Sequence, residues 1–284
     1  MIGFRVVNLL LPGDPQTVTI VGLNGDWVFT AATGYAAAKD AILTQHKSAE
    51  TYLAVHPASH AAGAAVLGQS VDEMLSLCLG ATYATGHAVT MSTTTQHSAV
   101  QFFQVGEHFP RERSWAGVNP VVNDEHEFKT LLEAFLHGYR AFGRREKAIL
   151  LVHHWLDSLS CWSLEDLYLS ATTVLQTIAA TEMRTLPIPK KKKPSFFKYV
   201  AAAANRYGLP VLSHDFKNMR NDLIHDGTLS GTSYSGKAAE DCRAVAVAVL
   251  NWIDLYLHAA LGLGPVRRVR FDPHSLDGLN AYSL

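Results

Sequence analysis

The sequence predicts an α+β chain of two domains. A small β-rich α+β domain is expected at residues 1–120 and an all-α helical bundle at 121–265, with 266–284 left as a basic tail or an added strand. Three observations carry this reading. Up to about residue 115, β-branched and aromatic residues come in short runs separated by Gly, Pro and Asn. From Asp124 onward the apolar residues recur at three- and four-residue spacing, the period of a helix with one buried face. The length, 284 residues with 48% apolar and 17% charged, fits one large or two ordinary domains, either able to bury a core.

In the first half, Phe4–Val7, Thr17–Val21, Trp27–Thr30, Ala88–Met91 and Val100–Phe103 read as strands, with Asn24-Gly25 a hairpin turn between the second and third. Val71, Met74, Leu75, Cys78 and Leu79 sit at helical spacing, which predicts one helix over Val71–Tyr83 packed on a small sheet. Gly22-Leu-Asn-Gly25 has the spacing of an RNA-binding GxxG loop, but between two strands it reads as a turn.

The second half opens with Asn123-Asp124 as caps for a helix carrying Phe128, Leu131, Leu132, Phe135 and Tyr139. Ile149, Val152, Leu156 and Leu159 mark the next. Ser163 with Asp166 three residues later forms a capping box, with Trp162 and Leu167 as its hydrophobic staple. That helix has the stripe Leu164, Leu167, Tyr168, Ala171, Leu175 and Ile178, and Glu182 is the next position along it. Three prolines between 187 and 194 forbid continuous helix there. A short helix over Phe197–Ala204 stops at Gly208-Leu-Pro210. Another runs from about Ser213 to His225 with Gly227 as C-terminal cap, and a long last one turns Cys242, Val245, Val249, Trp252 and Tyr256 inward before Gly262.

The net charge of −1 argues against a polyanion partner only on average. Between 184 and 220 the basic residues are Arg184, Lys190, Lys191, Lys192, Lys193, Lys198, Arg206, Lys217 and Arg220, against the single acid Asp215. This is the footprint of a phosphate-binding surface, or of a solvated loop. Cys78, Cys161 and Cys242 lack C-x-x-C spacing and read as thiols in a reducing compartment. The amino terminus has no basic region ahead of a long apolar stretch, and no apolar run reads as a bilayer span, so a cytoplasmic location is expected.

On a helical wheel the segment 213–225 separates cleanly. Leu212, Phe216, Met219 and Leu223 form a core face, while His214, Lys217, Asn218, Asn221 and His225 form the opposite strip with Arg220 at its edge. An ordinary solvated face would mix in glutamates. RNA carries its own nucleophile, the 2′-hydroxyl, so its cleavage needs a base, an acid and a cation for the phosphorane, and no metal. Histidine exchanges protons near neutrality, arginine offers a forked donor for phosphate oxygens, and Asn221 can orient either group.

Arg220-Asn221-Asp222-Leu223-Ile224-His225 resembles the Arg-polar-x3-His motif of the HEPN superfamily (higher eukaryotes and prokaryotes nucleotide-binding), over about residues 124–262. The resemblance implies a HEPN-like bundle and a metal-independent endoribonuclease with Arg220, Asn221 and His225 as catalytic residues and no cofactor. It also implies a homodimer formed through the helical domain, since two facing strips would bring two histidines and two arginines to one phosphate. His214 and Lys217 are supporting candidates, and Lys190, Lys191, Lys192 and Lys193 are candidate RNA contacts. Glu182 either reaches the Arg220/His225 region or lies in water beyond the core edge. The position two residues after His225 is Gly227 rather than the tyrosine of the toxin version, and the fused β-rich domain resembles the sensor of antiphage-defence nucleases with an unknown trigger. The alternatives are a non-catalytic HEPN module that binds nucleotide, RNA or protein and dimerises, or a helix end whose His225 serves the helix dipole. His153-His154 and His56-x3-His60 read as structural, and no G-x-S-x-G, Walker or H-E-x-x-H motif is present.

Overall fold

The computed structural model describes residues 2–45, 47–56, 64–96, 99–101, 120–145, 148–158, 161, 163–185, 195–236 and 238–283. Among these, the chain is a mixed α+β protein with six strands, all amino-terminal, and eight helices, most of them carboxy-terminal. It forms two compact units, one of residues 1–114 with 120–140 and the other of 115–119 with 141–284.

The first unit is built on one antiparallel sheet. Its strands are β1 (Ile2–Val7), β2 (Thr17–Val21), β3 (Asp26–Ala31), β4 (Glu50–His56), β5 (Thr90–Gln96) and β6 (Ala99–Gln101), in the order β2-β3-β4-β1-β5-β6. Alternation along the strands puts Phe4, Val6, Ile20, Trp27, Phe29, Tyr52, Ala54 and Met91 on a buried face, while Arg5, Thr17, Thr19, Thr30 and Leu53 face water. Helix α1 (Tyr35–Gln45) precedes β4, and helix α2 (Ala64–Thr85) joins β4 to β5. Strand β4 and α1 are additional to the sequence reading. Helix α1 buries only Tyr35, so it has no apolar stripe for periodicity to detect. The GxxG segment is a turn, Gly22 N–H donating to Gly25 O, and a Cβ on Gly22 would collide with the Glu73 carboxylate.

Helix α3 (Glu125–Arg145) corrects the expected boundary at 120/121, because residues 125–140 belong to the sheet unit rather than to the bundle. The cause is a close helix pair. A Cβ on Gly80 of α2 would lie 2.7 Å from Leu132 and 2.8 Å from Phe135, so glycine lets α3 approach α2. Lys129 Nζ donates to Thr19 O at 2.8 Å, and Glu133 accepts from Val21 N at 2.8 Å, which covers part of edge strand β2. The predicted cap is present, with Glu127 N donating to Asp124 Oδ1 at 2.8 Å.

The second unit is helical: α4 (Ala148–Ser158), α5 (Leu164–Thr185), α6 (Phe196–Tyr207), α7 (His214–His225) and α8 (Ala239–Leu261). Every predicted stripe residue of α5 is buried, and Ser163 Oγ accepts from Asp166 N at 3.1 Å as the cap requires. Trp162 of the predicted staple lies outside the described residues. Helix α8 is long and apolar enough to cross a membrane by length and composition, contrary to the sequence reading, but Val249, Leu250, Trp252, Ile253 and Tyr256 are buried as the core of this unit. The segment 266–283 is neither a basic arm nor a regular strand. Arg270 is buried in an ion pair with Asp254 at 3.1 Å, Trp155 Nε1 donates to the other Asp254 oxygen at 3.0 Å, and Phe271, Leu276 and Leu279 pack inward. A single bridge, Ser163 to Asn280, is its one strand-like contact among the described residues.

Candidate functional site

Helix α7 carries the candidate residues, and its local sequence sets where they point. Ser213 caps it, its hydroxyl accepting from Asp215 N at 3.2 Å, and Gly227 follows the last turn at φ 73°. Phe216, Met219 and Leu223 are buried and hold the helix to its unit, each side chain contributing about 1.5–3 kcal/mol when fully buried. Tyr168 Oη of α5 donates to Phe216 O at 2.6 Å, fixing the same turn from behind.

Asp222, the acid inside the motif, is buried at 1% exposure. Its carboxylate accepts from Gly231 N at 3.0 Å, from Ser233 N at 3.1 Å and from Tyr234 N at 2.7 Å, and so pins the α7–α8 loop to the motif helix. Burial pushes this carboxyl up, and those N–H donors outweigh it, leaving the group below its ordinary value. The middle acid of the motif is therefore a scaffold that fixes the helix end bearing His225.

The strip itself is arranged as predicted in part. His214 and His225 are exposed, and Lys217, Asn218, Arg220 and Asn221 are half-buried. Arg220 and His225 are separated by about 7.5 Å along the helix axis and about 140° around it. The Arg220 guanidinium lies over the Phe196 ring at 4.8 Å from its centroid, a cation–π contact that supports the side chain from α6. Its Nη1 makes a long bond of 3.4 Å to Asn221 Oδ1, and its buried Nε has no partner among the described residues. Burial lowers the Arg220 pKa and the neighbouring Tyr168 acts the other way; a guanidinium still keeps its proton at neutral pH.

No carboxylate neutralises Arg220 among the described residues. Two other arginines of this unit behave differently: Arg270 is paired with Asp254, and Arg206 with Glu182 at 2.9 Å. Glu182 thus does not serve Arg220 or His225. It is 1% exposed and also accepts from Tyr256 Oη at 3.2 Å, so its position at the end of the α5 stripe is answered by Arg206. Lys190, Lys191, Lys192 and Lys193 lie outside the described residues, as does His60 of the His56/His60 pair.

Sequence reasoning missed three contributors. Phe196 supports Arg220, and Phe197 lies 4.8 Å from the His214 ring, forming a half-exposed aromatic patch beside the strip. Ile224, 44% exposed, falls within the strip on the wheel between Arg220 and Lys217. Near the start of α7, Val211, Leu212, Val245, Ala248 and Leu255 line an apolar groove of about 280 Å³. The Phe-Phe pair after the lysine run was the available signal for the first, and Ile224 was hidden because its neighbour Leu223 satisfied the core pattern. Compared with protein-family models, with curated proteins and with solved structures, the chain gives no significant match.

Proposed function

We propose that this chain is a metal-independent endoribonuclease whose helical unit is a HEPN-like bundle and whose catalytic residues are Arg220, Asn221 and His225. The observation that carries the reading is the Arg220 side chain. A half-buried guanidinium, braced on Phe196 and without a carboxylate among the described residues, is a prepared site for an anion, and it shares its helix with Asn221 and an exposed His225. A phosphodiester supplies that anion. In the proposed reaction a histidine takes the proton of the 2′-hydroxyl, the 2′-oxygen attacks phosphorus, and the 5′-oxygen leaves with a proton from a second acid. The products are a 2′,3′-cyclic phosphate and a 5′-hydroxyl, while Arg220 balances charge on the phosphorane.

Helix α7 carries a second histidine, His214, but at its opposite end, about 16 Å from His225 along the axis, so the acid and base at one phosphate come from the His225 of two chains, with the α7 strips facing each other across a two-fold axis. Exposed Ile224 within the strip, and the apolar groove beside its start, supply the contacts that overcome repulsion between two cationic strips. The aromatic patch of Phe196, Phe197 and His214 offers stacking surface for unpaired bases, and the lysine run from 190 to 193 adds phosphate contacts. The resemblance to antiphage-defence nucleases gives the proposed setting, with the sheet unit as sensor.

Incubating the purified protein with total RNA in EDTA and mapping the ends tests this reading. The expected result is discrete fragments with 2′,3′-cyclic phosphate and 5′-hydroxyl ends. RNA that is bound but left intact would instead favour the non-catalytic binding and dimerisation module.

A further inference from the structure

The β2–β3 turn, α2 and α3 line an open cavity of about 300 Å³ that lies wholly within the sheet unit. That volume is at the lower end of small-molecule sites. Its walls are of two kinds. Leu136 and the half-buried Tyr139 provide an apolar side, while Asn24, Asp72 and Glu73 provide oxygen acceptors, and Arg140 stands exposed among the lining residues.

Glu73 is the informative member. It is 5% exposed and forms no ion pair among the described residues. Its Oε1 accepts from Leu23 N at 2.7 Å and from Trp27 Nε1 at 3.0 Å, whereas its Oε2 has one long bond, from Asn24 Nδ2 at 3.2 Å. A carboxylate has about four acceptor positions, so Oε2 keeps capacity for another donor. The Asn24 oxygen has no partner among the described residues, and the neighbouring Asp72 carboxylate is exposed and engages no cation among them. Two carboxylates against one guanidinium give the lining a net negative charge, and a buried carboxylate without a cation is costly unless something compensates it. The turn is already locked by Glu73, so the acceptors are held in place before any ligand arrives.

We propose that this cavity binds a small molecule carrying a primary ammonium group on an apolar body. The ammonium donates to Glu73 Oε2, the Asn24 oxygen and Asp72, and the apolar body lies against Leu136 and Tyr139. A ligand that also bears a carboxylate, as a free amino acid does, gains Arg140 as partner. The inference is independent of the nuclease reading and gives the sheet unit a ligand class of its own.

Calorimetric titration of the full-length protein with phenethylamine, phenylalanine and phenylpropionate tests it. Phenethylamine should bind saturably and phenylpropionate should not. Equal binding of phenylalanine assigns recognition to the ammonium alone, and tighter binding that Arg140→Gln removes assigns the carboxylate to Arg140. Asp72→Asn, at an exposed position, should weaken binding about tenfold or more, the effect of losing one charge-assisted bond. Glu73→Gln should weaken it further, provided circular dichroism shows an intact fold. The proposal is overturned if neither amine saturates in the millimolar range, if phenylpropionate binds as tightly as phenethylamine, or if Asp72→Asn leaves affinity unchanged.

Discussion

At the scale of single residues, the motif combines a buried acid with an exposed histidine. Asp222 accepts backbone N–H groups from Gly231, Ser233 and Tyr234, and His225 on the next turn is left in water. Replacing Asp222 by Asn should destabilise the protein by about 2 kcal/mol, since hydrogen bonds to a charged acceptor are weakened together. The pH dependence has a definite sign. The folded-state carboxyl titrates below its ordinary value of 3.8, so its contribution is complete above that value and is lost as pH falls through the folded one. Urea unfolding should therefore give a constant difference between wild type and Asp222→Asn from neutral pH to about pH 4, shrinking below it. A difference that instead disappears between pH 7 and 5 would mean that Asp222 does not carry the loop as a carboxylate. Arg220 shows the limit of reading single residues. Its place on a polar strip was legible from spacing, but its support by Phe196, 24 residues earlier in sequence, is a tertiary contact that no local pattern encodes.

At the scale of elements, legibility followed how one-sided each element is. The α5 stripe and the buried α7 face could be read residue by residue because a single face is apolar. Helix α1 was missed because it buries one residue, and α3 was assigned to the wrong unit because periodicity says which face is buried but not against what. Gly80, facing Leu132 and Phe135, marks that partner. The carboxy-terminal segment was misread for a similar reason. Its arginines suggested a basic arm, yet Arg270 is buried against Asp254, which also accepts from Trp155. Arg270→Ala leaves that carboxylate in the core without its guanidinium and should cost about 3–5 kcal/mol in urea unfolding. A change under about 0.5 kcal/mol, the usual effect of a surface substitution, would return the segment to the status of a tail.

At the scale of the whole molecule, the proposed site is half a site in each chain. Ile224 is exposed on the cationic strip between Arg220 and Lys217 and leaves the core face to Leu223, so Ile224→Glu should preserve the fold while disfavouring a face-to-face dimer. Sedimentation should show the variant dissociating at concentrations where wild type is dimeric, with RNA cleavage falling in parallel. Full cleavage by a monomeric Ile224→Glu protein would mean that each chain acts alone.

In the proposed nuclease, Arg220 and His225 perform chemistry rather than support the helix. Both lie off the buried face of α7, so truncating either opens no core cavity. The direct measurement compares cleavage of RNA in EDTA by wild type, Arg220→Ala and His225→Ala with the melting temperature of each protein. Both variants should lose cleavage by about a hundredfold or more, while their melting temperatures stay within a few degrees of wild type. Cleavage that persists in His225→Ala, or that declines only in step with lost thermal stability, would contradict that role.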